Sequence, residues 1–411
     1  MIEIKNKKEC CGCTACYSIC PTDAIMMKKD DEGFYYPEVI KNKCIGCERC
    51  IGVCPMDEKE AEKCEETYLT GHYAIQYRGN KERKISTAGG FYYLIAEYVL
   101  KQGGVVFAAG YNEKMELCHM KATTVEEAKK LCGSKYVQSN TKGVFTQVLD
   151  ELKKEKIVLF VGTPCQVRGL NNYIPKRWAE NLVLLDLLCL GCSSPGLFEK
   201  WKTYLEIKYH EKVINVEFRN KNFGYSTPNV CVYFKSGKII EQSYDSKCLT
   251  NTFFKGYNVR PSCYRCDIRT YPRCSDFTVG DFNDISDFSP ELDDDLGTSS
   301  VWCHTKKGNR ILELIKEKYV IGKKIEVELS NVIGGKAVQM QEPEQRDAFF
   351  RDFKENEFKY TIKKWQRKTF KDSLLGNFRK VVNKTPFRRY VFKKMRKMQA
   401  RRFEKNQRTL Q

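Results

Sequence analysis

Two cysteine runs of identical spacing stand near the start of the sequence. They read Cys10-x-x-Cys13-x-x-Cys16-x-x-x-Cys20-Pro21 and Cys44-x-x-Cys47-x-x-Cys50-x-x-x-Cys54-Pro55, offset by 34 residues. Three closely spaced thiols wrap three corners of one [4Fe–4S] cube, and the fourth, just before proline, reaches across to a neighbouring cube. The spacing therefore assigns Cys10, Cys13, Cys16 and Cys54 to one cluster and Cys44, Cys47, Cys50 and Cys20 to a second. Zinc sites usually arrive as two C-x-x-C pairs separated by a loop, and disulfide scaffolds belong to secreted chains. Neither pattern matches these runs. Cys11 is a spare within the first run and is not expected to be a ligand.

The spacing is that of a bacterial two-cluster ferredoxin, but the chain is far longer than such a module. Its 411 residues suggest two or three domains, and 42% hydrophobic residues can fill their interiors. The start, Met1-Ile-Glu-Ile-Lys, has no signal-peptide character. Twenty-one cysteines together with oxygen-sensitive clusters fit a reducing cytoplasm. No apolar run approaches the length of a membrane span; the best, Leu182 to Leu190, is short and carries Asp186. The formal charge of +19 is concentrated at one end: residues 361–411 hold 18 Lys/Arg against two acids. The rest of the chain is nearly neutral.

Residues 1–65 read as the ferredoxin-like domain, its halves joined by the turn Asp30-Asp31-Glu32-Gly33, each half a cysteine loop plus a short helix after Cys-Pro. Asp57 to Glu66 looks like a linker. Beyond it, helix and strand signals alternate. Helices are expected at Phe91–Lys101, Val144–Lys154 and, behind Ser193-Ser194-Pro195, to about Tyr209. Strands are expected at Val105–Ala109, Ile157–Val161, Leu182–Leu188, Val213–Phe218, Val230–Phe234 and Ile239–Ser243, the last two joined at Ser236-Gly237. This is an α/β or α+β domain of residues 66–345 with at least five strands, followed by a basic helical tail, 346–411.

Cys165 and Cys189 fall just beyond the carboxyl ends of two strands, where open α/β sheets bind their ligands. With the later Cys263-x-x-Cys266 they are either the ligands of a third [4Fe–4S] cluster or buried or redox-active thiols. Cys64, Cys118, Cys231, Cys248 and Cys303 read as core or surface residues; Cys132, Cys192 and Cys274 are undecided.

Five motifs occur in order: Ser86-Thr87-Ala88-Gly89-Gly90, Gly133-Ser134-Lys135-Tyr136-Val137-Gln138-Ser139, Gly162-Thr163-Pro164-Cys165-Gln166, Arg260-Pro261-Ser262-Cys263-Tyr264-Arg265-Cys266 and Asp276-Phe277-Thr278-Val279-Gly280-Asp281-Phe282. Together they resemble the coenzyme F(420) hydrogenase/dehydrogenase beta-subunit family, in its bacterial branch associated with surface-polysaccharide gene clusters. The resemblance spans roughly residues 1–345. It implies an FAD-bearing domain that exchanges electrons between clusters and a two-electron partner. On that footing Ser86, Gly89, Gly90, Gly133, Ser134, Lys135, Thr163 and Gln166 are the expected cofactor-binding residues, and Lys135, Tyr136 and Asp281 the candidates for proton transfer. The sequence departs from the family at Leu190, where relatives commonly carry histidine, at the extra Cys192, and at Asn283, where tryptophan is frequent. The substrate side of the pocket is therefore expected to differ.

The tail interleaves its charge with Trp365, Phe370, Leu374, Phe378, Phe387, Tyr390 and other large apolar residues, and Pro386 divides it. A basic amphipathic segment suits an anionic membrane surface, at about 1 kcal/mol per basic residue; nucleic acid is the competing partner. The sequence thus predicts a cytoplasmic oxidoreductase, peripheral to the inner membrane face. It would take electrons from a ferredoxin or another low-potential donor and reduce a small or lipid-linked cell-envelope precursor. The alternative is an electron-transfer adaptor that feeds a partner enzyme.

Overall fold

Alternating apolar side chains decide the central sheet, because successive residues of a strand face opposite ways. Val106, Ala108, Leu159, Val161, Val183 and Leu185 enter one core, while Val105, Phe107, Val158, Phe160, Leu182 and Leu184 enter another. Strands apolar on both faces need cover on both, which is the parallel, helix-flanked arrangement.

The computed structural model describes residues 1–57, 71–227, 229–270, 272–283, 285–321 and 340–366, with Val391 and Lys394. The strands are β1 (Ile25–Lys29), β2 (Tyr35–Val39), β3 (Gly71–Tyr77), β4 (Val105–Tyr111), β5 (Leu117–Ala122), β6 (Val158–Gly162), β7 (Leu182–Leu187), β8 (Val213–Asn220), β9 (Asn229–Phe234), β10 (Ile239–Glu241), β11 (Phe277–Asp281), β12 (Ser299–Cys303) and β13 (Tyr319–Ile321). Eight of them form one sheet in the order β13-β3-β12-β11-β7-β6-β4-β5. Its centre, β11-β7-β6-β4, is parallel, and the flanks are antiparallel. The helix Phe91–Lys101 covers one face; Val144–Lys153 and Pro164–Tyr173 cover the other.

β8, β9 and β10 make a separate antiparallel sheet that shares a core with the helix Pro195–Tyr209 through Leu197, Phe198, Trp201 and Leu205. Ser194 caps this helix by accepting the Leu197 N–H, and Pro195 fills its first turn, as the sequence predicts.

The cysteine-rich module is built into the body. Cys11, Cys13, Ala15 and Val53 complete the core beneath Val144–Lys153 and Pro164–Tyr173. Phe34, at the foot of the β1–β2 hairpin, is fully buried against Phe350, ring centroids 6.3 Å apart. The short helices of this module differ from expectation. Ala15–Ile19 and Arg49–Gly52 sit inside the cysteine runs, before the Cys-Pro pairs. The gap between third and fourth cysteine is about one helical turn, which swings the fourth thiol toward the other run. After Cys20-Pro21 the chain turns into β1.

The boundary expected at residue 346 also moves. Helices Arg346–Glu355 and Phe358–Trp365 bury Phe349, Phe350, Phe353 and Ile362 in the core shared by β8–β10 and Pro195–Tyr209, so residues 346–366 belong to the folded body. Most of the basic tail, Pro386, Cys64 and the greater part of the expected linker lie outside the described residues. No helix among the described residues is long and apolar enough to cross a membrane, and Leu182–Leu187 is a central strand.

Arg346 anchors this last part. Its two terminal nitrogens donate to the Glu32 carboxylate at 2.8 and 2.6 Å, and the pair is largely buried. Removing one partner strands the other charge. Arg346→Ala is therefore expected to cost about 3 kcal/mol, read as a lower midpoint in anaerobic thermal unfolding. Phe350→Ala, which leaves a cavity between the same two segments, is expected to cost about 3–5 kcal/mol. Unchanged midpoints would show that these helices do not hold the module in place.

Candidate functional site

The two cysteine runs close into two rings, paired as their spacing requires. Cys10, Cys13, Cys16 and Cys54 line one cavity; Cys20, Cys44, Cys47 and Cys50 line the other. A single tetrahedral metal ion draws its donors tightly together. No three His, Cys, Asp or Glu side chains among the described residues do so. Four sulfurs spread around a cavity fit a cube instead. The rings differ in setting. Cys10, Cys13 and Cys16 are buried, whereas Cys47 is exposed beside Ile45, which is 67% exposed. Burial pushes the Cys54 thiol up to about 11.

The first ring rests on the helix Pro164–Tyr173. Gly169 faces Cys13 so closely that a Cβ there would stand 2.9 Å from its sulfur. One turn earlier on the same helix is Cys165. The thiol of Cys11 lies within hydrogen-bonding reach of those of Cys13 and Cys165. The spare cysteine is thus a contact between the first ring and the body.

Around Cys165 gather the other cysteines singled out in the sequence. Cys189 follows β7, and Cys263 and Cys266 lie on and just after the turn Pro261–Arg265. Cys189 and Cys266 both feel the charges of Cys165 and Cys263. Cys192, undecided from sequence, lies beside Cys263; the two buried thiols share their environment so that one is held down and the other pushed up. The Arg168 guanidinium, largely buried, senses Cys266 and Cys11, and its Nε has no hydrogen-bond partner. Cys118, Cys231 and Cys303 sit in strands and Cys248 opens a helix, in keeping with core or surface roles.

A second group of side chains forms where the glycine-bearing loops meet. Thr87 Oγ1 accepts the Ser134 N–H at 2.7 Å and lies 2.9 Å from its hydroxyl, which ties Ser86–Gly90 to Gly133–Tyr136. Gly133, in the left-handed region, has only the Ile85 carbonyl, at 3.7 Å, near its missing Cβ. Tyr136 and Asp281 are linked through Arg219, which lies 2.9 Å from the Asp281 carboxylate and 3.5 Å from the Tyr136 hydroxyl. Lys221 donates to the carbonyls of Arg83, Ala88 and Leu296, and burial, aided by the neighbouring Arg83, lowers it to about 7. Arg83 holds Asp294 through both terminal nitrogens, yet its Nε is buried without a partner. Arg83, Arg219 and Lys221 were not anticipated; they carry no motif, and only the fold brings them together.

Other expected cofactor residues are committed elsewhere. Thr163 and Gln166 form the capping box of Pro164–Tyr173, and the Gln166 amide also donates to Ser139. Lys135 caps the carbonyls of Leu131, Cys132 and Gly133. Gly89 answers to packing: a Cβ would lie 2.2 Å from the Ile75 carbonyl. Ser86 bonds back to the Glu82 carbonyl, and Gly90 opens the helix Phe91–Lys101. Among the histidines, His72 stacks on Trp302 at 4.3 Å, His119 bonds Ser139, and His304 bonds Thr278. Burial lowers all three, leaving them neutral.

Gly169→Ala tests the seat of the first ring. The variant is expected to lose the iron of one cube, about four per chain, measured after anaerobic isolation, while the exposed ring stays loaded. Full iron content would show that the close approach is not required.

Residues 9–57 match the model of the 4Fe–4S dicluster domain, and residues 155–328 that of the C terminus of the coenzyme F420 hydrogenase/dehydrogenase beta subunit. The second match includes the motifs at Cys165, Cys263 and Asp281; those at Ser86 and Gly133 lie before it. A chain of the F420-reducing [NiFe] hydrogenase complex from Methanosarcina barkeri is similar at 16% identity, with a TM-score of 0.42, covering 72% of this chain and 90% of that one. No curated protein matches the chain. The chain is thus an iron–sulfur electron-transfer protein related to the coenzyme F420 hydrogenase/dehydrogenase beta subunit, through residues 9–57 and 155–328.

Proposed function

We propose that the chain is a flavin-dependent iron–sulfur oxidoreductase that takes electrons from a ferredoxin-type donor and delivers them to an organic substrate. Bound [4Fe–4S] clusters supply single-electron carriage, and bound FAD the conversion to two-electron chemistry. The observation that carries this reading is the continuity of the thiols. Cys13 of the first ring packs on Gly169 of the helix Pro164–Tyr173, Cys11 lies against Cys165 at the start of that helix, and Cys189, Cys192, Cys263 and Cys266 gather beyond the carboxyl end of β7.

Each part of the chain has a role in this reading. The exposed ring of Cys20, Cys44, Cys47 and Cys50 is the face that meets a donor. Cys165, Cys189, Cys263 and Cys266 hold a third [4Fe–4S] cluster, with Cys192 and Cys11 as flanking thiols. The loop cluster receives the flavin. The open side of Gly133 leaves room, and Arg83, Arg219 and Lys221 offer positive charge to a pyrophosphate. The buried, unpartnered Arg83 Nε is a donor that such an anion satisfies. Tyr136 and Asp281, linked through Arg219, are the groups that move a proton at the flavin face. Asn283, which lies 3.3 Å from the Tyr225 hydroxyl, belongs to the substrate side. A cell-envelope or polysaccharide precursor is the substrate class, with the basic tail holding the protein at an anionic membrane surface.

Anaerobic isolation of the full chain tests this reading. It is expected to show flavin absorbance and about eight irons per chain for two cubes, about twelve with the third. No flavin and far fewer than eight irons would overturn it. Lys221→Met is expected to lower flavin retention at least tenfold while iron is kept, measured by absorbance against iron content. Flavin retained at the native level would remove Lys221 from the site. Liposomes of anionic lipid, with the chain cut after residue 366, test the tail: undiminished binding would exclude it as the anchor.

A further inference from the structure

Arg260 is fully buried, and its guanidinium ends inside the cysteine-rich module although the residue belongs to the body. Its Nε donates to the Cys10 carbonyl at 2.8 Å. One terminal nitrogen reaches the Tyr35 carbonyl at 3.0 Å and the Cys10 sulfur at 3.5 Å, and the other donates to Gln138 at 2.9 Å. The group lies 4.2 Å from the Tyr36 ring centre. Gly12 makes room for it: a Cβ there would stand 2.9 Å from the guanidinium. Among the described residues, none of these partners is a carboxylate. A buried cation without a counter-ion is costly. The group that faces this charge is the Cys10 sulfur, with whatever that sulfur binds.

Among the described residues, the second ring has no such neighbour. Its sulfurs accept backbone N–H groups instead, from Ile2 to Cys50 and from Ala24 to Cys20, each at 3.3 Å. The cations near it, Lys41, Lys43 and Arg49, are exposed and screened by water.

We propose that Arg260 sets the reduction potential of the cluster held by Cys10, Cys13, Cys16 and Cys54, raising it above that of the exposed cluster. This rests on the assignment of two clusters to the two rings. Reduction adds one negative charge to a cube, and net charge and hydrogen bonds to its sulfurs are the levers that set its potential. Burial alone disfavours the added charge. The same dry surroundings strengthen the field of Arg260, whose guanidinium touches the Cys10 sulfur directly and reaches Cys192 and Cys263 only at longer range. An electron entering at the exposed ring then runs downhill to the ring seated on Gly169, toward the body.

The test is a redox titration of the full-length, anaerobically loaded protein followed by electron paramagnetic resonance. A water-soluble lanthanide complex marks the exposed cluster by broadening its signal. In the native protein, the first signal to appear on reduction is expected to be the one the complex does not broaden. Arg260→Gln is expected to move that couple to lower potential and leave the broadened couple in place, and Arg260→Lys to restore part of the shift. A first signal that the complex does broaden overturns the proposal. So do unmoved couples in an Arg260→Gln protein of full iron content. If the Gln variant fails to hold iron, the order of the native signals decides alone. Absence of both cluster signals from the native protein overturns the cluster assignment itself, a separate result.

Discussion

The Cys10–Thr14 loop cannot satisfy its own backbone, and the structure depends on how that need is met. Gly12 and Thr14 both take positive φ, so the loop forms no regular ladder, and its carbonyls need partners from elsewhere. The body provides them. Arg260 takes the Cys10 carbonyl, Gln138 that of Cys11, and Thr141 that of Cys13 at 2.9 Å, while Thr141 also meets Thr14. Two of these donors, Gln138 and Arg260, come from the sequence motifs. The motifs at Gly133–Ser139 and Arg260–Cys266 therefore serve the cysteine loop as much as any ligand of their own.

That docking explains why the module and the body form one object. With the loop in place, Cys11, Cys13 and Ala15 become core residues, Gly169 must remain a glycine, and Cys11 comes to face Cys165. A freely diffusing carrier would expose both clusters. Here one ring is buried by the body and the other keeps an open face, so the two cannot be equivalent in access or in electrostatics.

Charge is distributed to the same end. The body is close to neutral in sum, yet Arg83, Arg168, Arg219, Lys221, Arg260 and Arg273 are drawn inward. Some meet acids, as Arg219 meets Asp281 and Arg273 meets the buried Asp186 at 3.3 Å. Others meet only carbonyls and sulfur. Inward-facing cations with neutral partners fit a protein whose working state includes anionic groups.

The grouping of the cysteines was legible from sequence because covalent spacing limits which thiols can line one cavity; the two rings close as the spacing predicts. Strands β4, β6, β7, β8, β9 and β10 and the helices Phe91–Lys101, Val144–Lys153 and Pro195–Tyr209 were legible for a similar reason, since apolar periodicity and caps act over a few residues. What tertiary structure decided lies at long range. It gave Thr163 and Gln166 to a helix cap and Lys135 to a helix end, and it made residues 346–366 part of a core. It also brought Arg83, Arg219 and Lys221 to the glycine-bearing loops, and no local pattern marks those three. A side chain's partner across hundreds of residues is set by which surfaces pack, and packing is a property of the assembled fold.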